Sequence, residues 1–245
     1  MYRLFCVLKE PPKDAIIISD LEQVHHINNV LHLKVNEEII VFDEKSNEYY
    51  TAIEKITPKA IYLKVRNTKK TAAERKFCLA VACAIPKKSK FDDLIDKLTQ
   101  LGVDRIIPME TERVVVKLDV LKKDARLSRW NKIVVSASEQ SQRNTLPVLE
   151  PVKDIKKVLL ESGDYDLKLI PALIDDRKTL IEVFRGVNPI NVLVLIGPEG
   201  DFSPAEVSLA KKAGFIPVTL GANVLRVETA AVAVVSFIKL FLSER

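Results

Sequence analysis

The chain of 245 residues is short of the side chains that carry most hydrolytic, redox and metal chemistry. Its only three histidines, His25, His26 and His32, all lie near the N-terminus. None has a cysteine or carboxylate at ligand spacing, so exposed histidines and no metal are expected. With every histidine in that first region, no Ser-His-Asp or Cys-His arrangement is arguable. Three cysteines, Cys6, Cys78 and Cys83, sit in apolar runs without a CxxC pair. An odd number in that setting predicts reduced, buried thiols and a cytoplasmic protein. Long hydrophobic runs are missing too: Ala230–Ile238, which Lys239 interrupts, is among the longest and is far too short to span a membrane. The opening MYRLFCVLKEPP is charged too soon to be a secretory signal. Neither GxGxxG nor a P-loop is present, which excludes the commonest dinucleotide and nucleotide-triphosphate sites.

What remains is an ordinary globular composition, 47% hydrophobic and 29% charged, with a net charge of +5 that favours a polyanionic partner. Residues 1–70 alternate in short β-type segments, RLFCVL, EEIIVFD, YYTAIEKI and AIYLKVR, separated by turn residues. One helix interrupts them: Leu21, Val24, Ile27 and Leu31 share a helical face behind a Ser19 or Asp20 cap. A small β-barrel domain over 1–70 fits this pattern. Asn67–Lys76 is polar and aperiodic and reads as a linker. From Phe77 strands and helices alternate, which predicts an α/β layer fold over 71–245 with a mainly parallel sheet. Ligands of such folds gather at the carboxyl ends of the strands.

Leu195–Thr229 is the best-punctuated stretch. The run NVLVLIG suits a strand buried on both faces, and Gly197-Pro198-Glu199-Gly200 breaks it. Ser203 caps a helix with Pro204 at its first position and Glu206 completing a capping box. Lys211 and Lys212 then face the helix's negative end and Gly214 closes it. A strand, a second loop at Leu220–Leu225 and an apolar helix follow. Each loop alone is a tight βα turn as readily as a ligand loop. Arg226 and Glu228 read either as an ion pair at a helix start or as a cation and a carboxylate in a pocket. Glu139-Gln140-Ser141-Gln142-Arg143-Asn144 is a polar cluster at a helix end that suits solvent or RNA. Arg113–Lys132 holds seven Lys/Arg against two Asp, the best candidate basic patch.

Assembled, these residues resemble the RsmE family of ribosomal RNA methyltransferases in the SPOUT (trefoil-knot) superfamily. The resemblance rests on Arg3-Leu4-Phe5, on His25-His26-Ile27-Asn28-Asn29-Val30-Leu31, on Lys97 to Val103, and on Glu139-Gln140-Ser141-Gln142-Arg143 with Pro147. Its most specific parts are Gly197-Pro198-Glu199-Gly200-Asp201-Phe202 and Leu220-Gly221 through Leu225-Arg226-Val227-Glu228-Thr229-Ala230. Asp201 stands where the family has a second glycine, Gln100 where it has Glu, and His32 and Asn36 where Arg and Gly are common.

The resemblance implies a PUA-like RNA-binding β-barrel over 1–70 and a trefoil-knotted, parallel-sheet methyltransferase domain over 71–245. It implies S-adenosyl-L-methionine as cofactor and N3 of a uridine in 16S ribosomal RNA, or the small ribosomal subunit, as acceptor. It also implies a homodimer. Cofactor contacts are expected at Leu173, Ile196, Gly197, Gly200, Leu220, Gly221, Asn223 and Leu225. Catalytic roles are expected for Arg226, with Glu199 or Glu228 as a proton acceptor, and RNA contacts for Arg3, His26, Arg113 and Arg143. Another RNA position as target, or a non-catalytic RNA-binding assembly factor, stay open as alternatives.

Overall fold

The computed structural model describes residues 1–8, 10–70, 77–86, 90–113 and 120–243. The described residues up to 70 form one compact unit together with Ser138–Leu146; the others form a second.

In the first unit the Val/Ile/Tyr-rich segments become β1 (Tyr2–Phe5), β2 (Ala15–Ile18), β3 (Glu38–Phe42), β4 (Asn47–Ile56) and β5 (Ile61–Lys70). They make a five-stranded sheet in the order β1-β3-β4-β5-β2, antiparallel except for β1 beside β3. Leu4, Ile16, Ile18, Val41, Ile53 and Leu63 point to one face and join Val24 and Ile27 in a core. Asp20 caps α1 (Leu21–His25) by accepting from the Gln23 N–H at 2.9 Å. The expected helix does not continue in α form: His26–Val30 widens to a π turn, and Leu31 N donates to His26 O at 2.9 Å. The expected linker begins later than the sequence suggested. Asn67–Lys70 continue β5 because Asn47–Tyr50 supply ladder partners, while residues 71–76 lie outside the described residues.

Ser138–Leu146 belongs to this unit for an identifiable reason. The Glu139 carboxylate accepts from the Phe5 N–H at 2.8 Å, and Gln23 donates to Phe5 O at 2.7 Å. Burial pushes the Glu139 carboxyl up to about 7, against the lowering effect of that Phe5 bond. Glu139 is therefore engaged by backbone, a different role from the base-reading cluster its neighbours suggested.

The second unit contains β6 (Cys78–Ala84), α2 (Lys90–Gln100), β7 (Arg105–Glu110), α3 (Val120–Gln140, whose last three residues belong to the first unit), β8 (Val148–Leu149), β9 (Lys153–Asp154) and α4 (Ile155–Leu160). It continues with β10 (Leu167–Pro171), β11 (Lys178–Thr179), α5 (Leu180–Phe184), β12 (Asn191–Ile196), α6 (Pro204–Lys212), β13 (Ile216–Thr219) and α7 (Val227–Ser243). The sheet order is β11-β13-β10-β12-β6-β7-β8, and every pair is parallel. The mixed α/β architecture with a parallel sheet is the one the alternating pattern predicted. Central β12 is buried from Val192 to Ile196, which is why it reads as an unbroken apolar run. The expected opening of α2 at Ser89 lies outside the described residues; Lys90 is its first described residue. Around α6 the local chemistry holds in full: Ser203 and Glu206 form the capping box, Pro204 opens the helix and Gly214, at φ +86°, follows its end.

Candidate functional site

Three neighbouring parallel strands, β13, β10 and β12, end side by side, and the segments that leave them enclose a cavity of about 270 Å³. From β10 come Pro171, Ala172 and Leu173; from β12 come Ile196, Gly197, Pro198, Glu199 and Asp201. From β13 come Val218, Thr219, Leu220, Gly221, Asn223 and Leu225, and the start of α7 adds Arg226 and Ala230. A site at strand carboxyl ends is where an open parallel sheet leaves room for a ligand. The volume is close to the lower end of the roughly 300–1,000 Å³ of small-molecule sites.

Two glycines have steric reasons to be there. A Cβ on Gly197 would lie 3.0 Å from the ring of Phe202, so that buried ring would have to shift by a few tenths of an ångström to admit a side chain in the turn after β12. Gly221 has φ +121°, a backbone state that L side chains rarely adopt.

The turn after β12 is held from outside by long-range side-chain bonds. Arg113 donates to Gly200 O at 2.8 Å. Asp201, a non-glycine residue at φ +59°, accepts from the Leu173 N–H at 2.8 Å. Buried Glu206 accepts from the N–H groups of Ser203 and Glu112, each at 2.8 Å, and so ties the segment after β7 to the start of α6. The turn after β13 has a lighter frame. Thr219 Oγ1 donates to Gly221 O at 3.0 Å and accepts from Gly221 N at 3.2 Å.

Of the residues expected to contact a cofactor, Leu173, Ile196, Gly197, Leu220, Gly221, Asn223 and Leu225 share the lining of this one cavity; Gly200 is not on it. Arg226 and Glu199 are on the lining as well. Glu228 is not: it belongs to the first turn of α7, and Lys90 Nζ lies 3.4 Å from its carboxylate. Its own backbone N–H, then Lys90 and Arg226, hold the Glu228 carboxyl below the usual carboxylate range. A carboxylate held ionised by such partners is a weaker proton acceptor. Val224, within the second expected loop, lines the cavity as well, as do Arg177 and Thr219, which carried no signal in the sequence. Cys83 lies fully buried in β6, and burial, then Glu199 and Glu228, push its thiol up, away from thiolate chemistry.

The expected RNA-contacting residues have separate placements. Arg3 points inward: its guanidinium pairs with Glu48 and lies 5.6 Å over the Phe42 ring, both charged side chains being under 10% exposed. A buried pair leaves little of that charge for phosphate, so the structure gives Arg3 an internal role. Arg113 holds the turn after β12, as above. Arg143 is half-buried and donates from Nε to Thr145 O at 3.1 Å. His26 is exposed on the π turn. Of the expected basic patch, residues 114–119 lie outside the described residues, Lys123 pairs with Glu110 at 2.9 Å and Arg129 with Asp92 at 2.5 Å. Among the described residues no group of three His, Cys, Asp or Glu is placed to hold a metal ion, and no helix is long and apolar enough to cross a membrane.

Known proteins match both units. Residues 73–239 match the RNA methyltransferase domain family, and residues 6–66 match the RNA methyltransferase PUA domain. The chain belongs to the RNA methyltransferase family. It is 32% identical over 234 residues to the ribosomal RNA small subunit methyltransferase E of Mesomycoplasma hyopneumoniae (strain 232), covering 95% of this chain and 96% of that one. It is 29% identical over 222 residues to the Bacillus subtilis (strain 168) protein of the same name, covering 89% and 87%. A putative methyltransferase from Legionella pneumophila, solved with bound cofactor SAM, superposes with a TM-score of 0.88 at 29% identity and covers 98% of this chain and 97% of its own. The Neisseria gonorrhoeae ribosomal RNA small subunit methyltransferase E bound to S-adenosyl methionine gives 0.87 at 28% identity, covering 98% of each.

Proposed function

We propose that this chain transfers the methyl group of S-adenosyl-L-methionine to N3 of a uridine in 16S ribosomal RNA. The observation that carries the reading is that Arg226 and Glu199 line one cavity at the carboxyl ends of β10, β12 and β13. The site residues fit the cofactor. Backbone groups of two glycine turns suit an adenine edge, and Leu173, Ile196, Val218 and Leu225 offer apolar surface to its ring and to the carbons around its sulfur. Two relatives solved with this molecule bound support the assignment. When bound, the cofactor supplies an electrophilic methyl group on a sulfonium.

The protein's work is on the other reactant. Uridine N3 carries an imide proton and becomes nucleophilic only once that proton leaves. The Arg226 guanidinium, exposed on the cavity lining, stabilises the negative charge of the uracil anion. Glu199, on the same lining, receives the proton; Glu228 stays with Lys90. The largest contribution is positioning, because the methyl carbon and N3 must meet in line.

In this reading the domain over 1–70 is a PUA-like RNA-binding module, the domain over 71–245 carries a trefoil knot, and the enzyme acts in the cytoplasm on rRNA or the small subunit. His26 and Arg143 belong to its RNA-facing surface. In this reading it acts as a homodimer, as the resemblance implies. The test is mapping of the nucleotide that the purified protein labels in small-subunit RNA with radiolabelled S-adenosyl-L-methionine. A single methyl on uridine N3 is expected; label on another atom, or none, overturns the assignment.

A further inference from the structure

We infer that Asp201 is a positioning residue for the cofactor: its side chain fastens the segment after β10 to the turn after β12 and closes one side of the cavity. Three observations converge on it. The residue holds φ +59°, a region in which Asp is among the few tolerated non-glycine residues, so its side chain is kept at the cost of backbone freedom. Its Oδ2 accepts from the Leu173 N–H at 2.8 Å, across 28 positions of sequence. Leu173 and Asp201 also line both the 270 Å³ cavity and a second, open one of about 580 Å³ that reaches Pro204 and Lys211. Their bond is thus the partition between the two spaces.

A glycine at 201 would keep the backbone conformation and lose the partition. Leu173, 56% exposed, would then be held only by its neighbours in the chain, and the cavity would open toward Lys211. The expected consequence is weaker cofactor binding without a change in the chemical step, because Asp201 shapes the wall and Arg226 faces the reaction. Asparagine separates geometry from charge. It tolerates the same φ, and its amide oxygen accepts the same bond without a negative charge.

The inference rests on the assignment of S-adenosyl-L-methionine, and the experiment keeps the two apart. In the ligand-free protein, hydrogen exchange at the Leu173 amide should quicken about tenfold in Asp201→Gly and stay near wild type in Asp201→Asn. In calorimetry, Asp201→Gly should bind the cofactor about fivefold to tenfold more weakly, with Asp201→Asn within about twofold of wild type. KM for the cofactor should follow the affinity while kcat and the RNA KM stay put. Equal exchange and equal affinity in Asp201→Gly would overturn the tie. So would an Asp201→Asn variant as impaired as Asp201→Gly, which would assign the effect to charge. A wild-type protein that does not bind the cofactor would fail the functional assignment instead, with the exchange measurement still deciding the tie.

Discussion

The two glycine turns face each other across one cavity, yet they are held in opposite ways. The turn after β12 is fastened by side chains from distant sequence: Arg113 on Gly200 O, Asp201 on Leu173 N, and Glu206 on Glu112 N. The turn after β13 relies on one local threonine, and its residues Gly221–Val224 are exposed. The difference separates two tasks that a single pocket must perform. A wall tied from several directions gives a fixed template for positioning, whereas a lightly tied wall can yield while a ligand enters. Arg226 sits where the lightly tied wall meets α7, whose first turn it joins through the bond from Ala230 N to Arg226 O at 2.8 Å.

The largest expected effect is at that junction. Arg226→Ala should lower kcat for methyl transfer by about 10²–10³-fold while leaving cofactor affinity nearly unchanged, the cost of removing one charge-stabilising donor. Single-turnover methyl transfer together with calorimetry checks it. Near-wild-type turnover would remove Arg226 from the chemistry and leave the lightly tied wall with binding alone.

Next is the fixed wall itself. In Gly197→Ala the new Cβ would lie 3.0 Å from the Phe202 ring, which is packed among Leu195, Val207 and Ala210 in the core. Overpacking of this kind costs about 1–3 kcal/mol of stability, and the displaced turn should also lose cofactor affinity. Thermal unfolding and calorimetry read both. A variant that unfolds and binds like wild type would mean the wall is not fixed.

Arg113→Ala tests the same wall without touching its backbone. The bond to Gly200 O is charge-assisted but the residue is solvent-exposed, so a loss of about 1 kcal/mol in cofactor binding is expected, close to fivefold in Kd. This variant also decides between two assignments for one side chain. If Arg113 served RNA, its loss would raise the KM for RNA and flatten the salt dependence; as a wall tie, it should move the cofactor Kd instead.

The contrast between the walls also explains what sequence could and could not reveal. Turn chemistry is local. The Ser203–Glu206 capping box, Pro204 at the helix start and Gly214 beyond its end are all spelled out within a dozen residues, and the structure forms each. The buried run of β12 and the alternation of strands and helices follow from periodicity in the same way. The ties of the fixed wall span 28 to 94 positions, so spacing alone does not bring Arg113 to Gly200 or Glu206 to Glu112. Arg3 shows the converse. A lone arginine near a terminus reads as a surface cation, but the pairing of β1 with β3 and β3 with β4 brings Glu48 and Phe42 to it. Glu228, which is not on the cavity lining, has Lys90, 138 positions away, 3.4 Å from its carboxylate. Likewise, the hold of Glu139 on Phe5 draws Ser138–Leu146 into the first unit.

The smallest effect should come from the lightly tied wall. Thr219→Val keeps the side-chain volume and deletes both bonds to Gly221, one donated and one accepted by the hydroxyl. These bonds are exposed, so water replaces them at little cost. The expected change in cofactor Kd is less than about threefold, roughly 0.6 kcal/mol, smaller than for Arg113→Ala or Asp201→Gly. Association rate is the sharper observable. If the wall yields during entry, loosening it further should leave the on-rate unchanged or faster and place any loss in the off-rate, as most affinity changes do. Stopped-flow binding of the cofactor separates the two. A Thr219→Val variant that binds tenfold more weakly, with a slower on-rate, would show that this turn is a preformed wall as well, held by two short local bonds as firmly as its neighbour is by long-range ones.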